Sequence, residues 1–211
     1  KIEKKCHIFG VQQFLKAKNM HAEYTITLRD SDHWGVATFT RFTIVRKGKI
    51  AFDTHSNNIC IYTDMVIRND TVRVYNLHLA SISFGKNEYK LFDNISKTSI
   101  SDPDLDRSKS IFRRLKKGFL VRAGQAELVK AHMAGCKYKI ILCGDFNDTP
   151  SSYAYHLLSG NLKDAFGQSG RGIGKTYHGK LPFLRIDYIL HDKSFNSNNY
   201  GIYPESLTDH Y

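Results

Sequence analysis

The stretch Lys139-Ile140-Ile141-Leu142-Cys143-Gly144-Asp145-Phe146-Asn147-Asp148-Thr149-Pro150 decides how this chain is read. Residues 140–144 form an apolar run too short for a helix of ordinary length and bounded by turn formers, which predicts a buried strand. Polar residues crowd its C-terminal end. Thr149 followed by Pro150 suits an N-cap and first helical position, so Asp145, Asn147 and Asp148 fall on a strand-to-helix loop at the rim of a sheet. Open α/β sheets place their ligand sites at such rims. Alternation along the exit from the strand points Asp145 and Asn147 the same way, offering a carboxylate and an amide to one small volume. A phosphate-handling centre uses that pair, because a carboxylate aligns a water or holds a hard cation while an amide hydrogen-bonds an oxyanion. Taken alone, the same residues also suit an Asx-rich turn.

Upstream, residues 59–67 and 71–79 alternate and are joined by Arg68-Asn69-Asp70, which predicts a hairpin. On its second strand Val72, Val74, Asn76 and His78 share one face, and Arg73, Tyr75, Leu77 and Leu79 share the other. Both faces are largely apolar until the C-terminal end. A strand inside a two-sheet sandwich has that pattern, with Asn76 and His78 emerging at the same rim as Asp145. Residues 34–45 read as a strand pair or one bent strand.

Residues 81–107 are polar and irregular and read as a long surface loop. Helical spacing follows at Ile111, Leu115, Phe119, Leu120, Ala123, Ala126, Val129 and Met133, with Gly135 as a stop and Gly118 as a point of division or kinking. Arg122 and Gln125 are assigned to solvent or helix packing, with the cleft as the alternative. After Pro150 a short helix is expected to about Ser159, ended by Gly160. Residues 168–180 are rich in glycine and basic side chains but lack the spacing GxxxxGK[ST], which excludes a nucleotide-phosphate loop. They are read as a basic loop flanking the substrate. Residues 185–190 make another buried strand, carrying Asp187.

The 211 residues suffice for one well-buried core, and a single domain over residues 1–211 is expected. Lys plus Arg number 31 against 20 Asp plus Glu, a formal charge of +11. Such a field favours polyanionic partners without choosing among them. No apolar run approaches the roughly 18 to 20 residues of a membrane helix. Cys6, Cys60, Cys136 and Cys143 show no CxxC pair and no zinc-type spacing with histidine.

Four stretches, in order, resemble motifs of the endonuclease/exonuclease/phosphatase superfamily: residues 74–81 (VYNLHLAS), 144–147 (GDFN), 185–190 (RIDYIL) and 206–211 (SLTDHY). The resemblance implies a deoxyribonuclease-I-like α/β fold, a two-sheet β-sandwich flanked by helices in four αββα layers. It implies metal-dependent hydrolysis of a phosphate ester. The first expectation is a phosphodiesterase or nuclease; the alternatives are a sphingomyelinase or inositol-phosphate phosphatase, or a non-catalytic phosphate-binding domain. The substrate is expected to be nucleic acid or another phosphate ester.

By the same resemblance Asp145 aligns or deprotonates the attacking water and Asn147 hydrogen-bonds the phosphoryl oxygen. Asp187 orients His210, His78 acts on a nonbridging or leaving oxygen, and Asp209 belongs to the metal site. Asn76 and Arg41 are assigned to the phosphate. Mg²⁺ is the expected cation, with Mn²⁺ close behind. The superfamily opens with strands bearing an Asn and a metal-binding Glu. Glu3 and Glu23 lack that context, so the chain is expected to be truncated at both ends and to hold its metal weakly or not at all.

Overall fold

The computed structural model describes residues 22–29, 34–52, 57–82, 102–178, 184–203 and 210. Strands β1 (Ala22–Arg29) and β2 (Trp34–Thr40) pair antiparallel as a small sheet. Six further strands form a mixed sheet: β3 (Thr43–Ala51), β4 (Ile59–Ile67), β5 (Asp70–His78), β6 (Lys139–Asp145), β7 (Lys163–Asp164) and β8 (Asp187–His191). Their order is β3-β4-β5-β6-β8-β7. β5 and β6 pair in parallel, and the other neighbours are antiparallel. A parallel pair requires a crossover, and α1 (Asp102–Ala134) provides it. Two shorter helices follow, α2 (Tyr153–Ser159) and α3 (Ala165–Ser169).

Alternation along β5 determines which side of the sheet meets which layer. Tyr75, Leu77 and Leu79 are buried with Leu142 and Phe146 against Ala126, Val129 and Met133 of α1 and Ala154 and Leu158 of α2. Complete burial of a side chain such as Leu142 or Phe146 stabilises by about 1.5–3 kcal/mol. The opposite face receives the small sheet, where the Asn76 amide donates to the Ala37 carbonyl of β2 at 2.9 Å. The α/β architecture is thus a mixed six-stranded sheet between a second sheet and flanking helices. Among the described residues no helix is long and apolar enough to cross a membrane.

Several local expectations change. The 34–45 segment is two strands in two different sheets, broken at Arg41 and Phe42, where the Phe42 amide donates to the Thr40 hydroxyl at 3.0 Å. Arg68 takes the tight β4–β5 turn at a φ of 58°. α1 begins at Asp102, inside the stretch read as loop, and runs through Gly118. Phe119 and Leu120, read as core, are exposed, while Arg122 and Gln125 are buried. The α2 cap is Ser152 rather than Thr149, its hydroxyl accepting from the Tyr155 amide at 3.2 Å.

Gly144 has no alternative residue. Its φ is +138°, and a β-carbon there would lie 1.9 Å from the Leu77 carbonyl oxygen of the neighbouring parallel strand. The close approach lets β6 end beside β5, which brings Asp145 level with His78.

Candidate active site

Three neighbouring strands end at one rim, and their registers align. His78 of β5 is the partner of Asp145 of β6, and Asp145 is the partner of Asp187 of β8. Paired residues of adjacent strands share a face, so the three side chains project together. Backbone bonds hold the exits. The Leu79 amide donates to the Asp145 carbonyl at 2.9 Å and the Phe146 amide to the Ile186 carbonyl at 2.8 Å.

Asn147 curls back over this rim with a φ of 50°. Few non-glycine residues take that conformation, and asparagine is among those enriched there. Its amide N–H donates to Asp145 Oδ1 at 2.7 Å, and its Nδ2 donates to Asp145 Oδ2 and to the Leu79 carbonyl, both at 3.0 Å. Nδ2 also lies 3.3 Å from His78 Nε2. The Asp145 carboxylate is therefore fixed from two directions. Its Oδ2 is 3.6 Å from His78 Nε2 and 3.8 Å from His210 Nε2. His210 in turn brings Nδ1 to 2.9 Å from Asp187 Oδ2.

Residues Thr176 and Tyr177 brace the second half of the site. The Thr176 hydroxyl accepts from the Ile186 and Asp187 amides at 3.0 and 3.1 Å. Tyr177 forms a β-bridge with His210 and sets its ring edge-on to the imidazole, centroids 5.6 Å apart. Both come from the segment read as a basic flanking loop, and neither was singled out in the sequence. Burial holds the His78 imidazole below its ordinary value; the Asn57 backbone opposes this, and the neighbouring His210 reinforces it. These effects together favour the uncharged form of the ring. Both Nδ2 hydrogens of Asn147 are directed to Asp145 Oδ2 and the Leu79 carbonyl, so its longer 3.3 Å approach to His78 Nε2 has no hydrogen of its own.

His78, Asp145, Asn147, Asp187 and His210 come together here from positions 78 to 210 of the chain. Asn76 shares the His78 face but directs its amide to β2. Arg41 is not brought to the rim. It is exposed on the β2–β3 turn beside Thr43, which pairs with Val66, whereas His78 pairs with Ile59 at the other end of β4. Its guanidinium sits over the Phe42 ring instead, 5.4 Å from the centroid. Asp209 lies outside the described residues.

The site presents a potential cation locus. Asp145, Asp187 and His210 each offer one ligand atom, all within 4.8 Å of one another. Two carboxylates and an imidazole at that spacing fit one divalent ion.

A family model described as Endonuclease/Exonuclease/phosphatase family matches residues 8–210. The chain belongs to that family. Members of the Endonuclease/Exonuclease/phosphatase family are hydrolases acting on phosphate esters. No curated protein sequence matches the chain. Among solved structures, a mannosyl-6-phosphatase of Bacteroides thetaiotaomicron is 19% identical over 90% of this chain and 70% of its own, with a TM-score of 0.60. An endonuclease/exonuclease/phosphatase family protein from the same species is 18% identical over 97% and 75%, with a TM-score of 0.64. The human nocturnin catalytic domain, bound to sulfate, is 19% identical over 88% and 65%, with a TM-score of 0.58. At these identities the likeness is one of fold.

Proposed function

We propose that this chain hydrolyses a phosphate ester by direct attack of water at the rim built from His78, Asp145, Asn147, Asp187 and His210. The observation that carries this reading is the position of Asp145 Oδ2, held by Asn147 and within 4 Å of both imidazoles. A carboxylate so placed aligns and deprotonates a water. A phosphoryl oxygen bound beside Asn147 and His78 would take an Nδ2 hydrogen from its resting acceptors, and the His78 imidazole would donate to that oxygen once protonated at Nε2. The transition state of phosphoryl transfer gathers negative charge on its equatorial oxygens, so fixed donors stabilise it more than the ground state. Asp187 holds His210 in one tautomer, with Nε2 turned toward Asp145. As the water oxygen bonds to phosphorus the ester P–O bond breaks, the water proton passes by way of Asp145 to His210, whose imidazolium Asp187 stabilises, and the leaving oxygen takes a proton from bulk water.

A divalent ion bound by Asp145 and Asp187 would supply positive charge and acidify a coordinated water. Mg²⁺ prefers oxygen ligands, which leaves His210 on Asp187; an ion that draws on the imidazole would break that hydrogen bond. Asp209 would join the oxygen ligands, and Asn76 remains a candidate for the phosphate. The core residues address the phosphate alone, so they do not separate a nuclease or other phosphodiesterase from a sphingomyelinase or a sugar-phosphate phosphatase. The net charge of +11 favours a polyanionic substrate, nucleic acid first.

The test is a substrate panel of plasmid DNA, RNA, abasic-site duplex, sphingomyelin and inositol phosphates, each with Mg²⁺ and with Mn²⁺. Turnover of at least one substrate, lost in His210→Ala, is expected. No turnover of any of them would refute the enzyme reading and leave a phosphate-binding domain.

A further inference from the structure

Two loops leave the rim from β5 and β6. One runs past His78 through Leu79 to Ile82, and the other runs from Asp145 through Asn147 to Thr149. The face of α1 that meets them is charged. Arg122 is fully buried, and its Nε donates to Asp148 Oδ2 at 2.8 Å while its Nη1 donates to the Ala80 carbonyl at 3.0 Å. Gln125, nearly one helical turn further, accepts from the Ala80 amide at 2.8 Å. Both backbone groups of Ala80 are thus held by one helix. Asp148 is held as well, with Oδ1 accepting from the Thr149 amide at 3.1 Å and its carbonyl 2.8 Å from the Tyr188 hydroxyl.

The approach of α1 is close enough that a side chain at position 118 would displace Ile82. A β-carbon on Gly118 would lie 2.7 Å from Ile82 Cγ1 and 3.2 Å from Arg122 Nη1. Net stability does not explain a charged pair here. Removing both ions from water offsets most of their attraction, and an apolar pair of similar volume commonly does as well or better. What an apolar pair lacks is direction. The planar guanidinium fixes a carboxylate on one loop and a carbonyl on the other at the same time.

We propose that Arg122 is a positioning residue that sets the His78 loop against the Asn147 loop, an inference that rests on the phosphoester-hydrolase reading. The clamp spans the join between the two loops that flank the β5–β6 pair. Without it the two loops are joined only at their bases, by the Leu79–Asp145 backbone bond and the Asn147–Leu79 bond, and the spacing of His78 and Asn147 loosens. Misplacement by about 1 Å lowers turnover roughly 100-fold while leaving ground-state contacts to the phosphate largely in place.

The decisive variant is the double Arg122→Met with Asp148→Leu, which removes the clamp without leaving a buried charge alone. Arg122→Lys is the second variant, since one ammonium cannot hold Asp148 and Ala80 with the same geometry. Each is compared with wild type for thermal midpoint, for kcat and KM on bis-p-nitrophenyl phosphate and the panel substrates, and for hydrogen exchange at the Ala80 and Asn147 amides. Neither amide donates to the substituted side chains, so their exchange reports the loops. Expected is a folded protein with KM within about twofold, kcat lower by about 100-fold and faster exchange at both amides. A folded variant with wild-type kcat, or with unchanged exchange at both amides, overturns the proposal. Absence of wild-type turnover on every phosphoester refutes the hydrolase reading instead, and the exchange measurement then decides the clamp by itself.

Discussion

Two buried arginine–aspartate pairs lie against the same helix, and they are built differently. Arg73 presents its fork to one carboxylate, Nε to Asp64 Oδ1 at 2.6 Å and Nη2 to Oδ2 at 2.7 Å. The two residues are register partners on β4 and β5, so the pair closes within two neighbouring strands. Aromatic groups seal it. The guanidinium lies 4.5 Å from the Tyr62 ring centroid, and His132 of α1 packs beside Tyr62 with Nδ1 2.9 Å from the Tyr75 hydroxyl. Arg122 instead divides its donors between Asp148 on one loop and Ala80 on another. A fork closed on one partner adds a rivet to a sheet already ordered by its ladder. A fork opened across two loops fixes a geometry that no ladder bond specifies. An arginine–aspartate pair thus sits at each end of β5, one closed within two strands and the other opened across two loops, and the positioning role proposed for Arg122 rests on that difference.

This contrast can be broken at either end. The largest effect is expected at the rim, where His210→Ala should lower kcat by about 10³-fold without moving the melting midpoint, because general acid–base groups contribute on that scale. Asp187→Asn should come within about tenfold of it, and the double variant should lose little more than the worse single one, as residues acting as a unit do. Losses that multiply in steady-state kinetics would mean that the two act separately.

At the other end the signature should invert. Asp64→Asn leaves Arg73 buried without its counter-ion and should lower unfolding free energy by about 3–5 kcal/mol, with kcat of the folded protein unchanged. Denaturant titration of Asp64→Leu with Arg73→Met should recover most of that loss. A fall in kcat at full folding would show that this pair, too, reaches the site.

Acid should separate the two ends more gently. Burial, with Arg73 and Arg46 nearby, holds His132 below its ordinary 6.5, while Asp64 opposes them. Burial likewise lowers His78. In both cases the unfolded chain binds the proton more readily, so stability from the neutral imidazole is complete above pH 6.5 and is lost as pH falls through the lower folded-state value. Melting midpoints measured from pH 8 to 5 should decline below 6.5, and His132→Gln should flatten the decline. The smallest effect is expected at the exposed Lys139–Asp70 pair, where Asp70→Asn should give no resolvable change in midpoint or kcat.

The sequence made the strand ends legible and left the braces unread. Period-two alternation placed Asn76 with His78 and bounded the strand before Asp145, because a strand buried on both faces has little freedom of register. Helical periodicity weights apolar residues, which is why solvent or helix packing outweighs the cleft for Arg122 and Gln125 in the sequence. Yet Arg122 falls seven residues after Leu115 and seven before Val129, squarely on the inward stripe, and an arginine in that place was the available signal. The α2 cap moved from Thr149 to Ser152 for a related reason. The run 147–152 offers several capping side chains, and choosing among them depends on Asp148 being taken by an arginine distant in sequence. Arg41 was assigned through resemblance, and its placement depends on the β3–β4 register, a long-range pairing that local pattern does not encode.

The parallel pairing of β5 with β6 has a consequence for how the site could be dismantled. Because the chain crosses back through α1 before laying down its second inner strand, a cut ahead of α1 would divide the rim between two polypeptides. The first would hold Asn76 and His78, and the second Asp145, Asn147, Asp187 and His210. Neither half carries the whole set, so turnover would depend on the two fragments finding each other and would rise with their concentration until the pair saturates. On the hydrolase reading, such a molecule would be a two-part reporter, dark when its halves are apart and switched on by whatever brings them together.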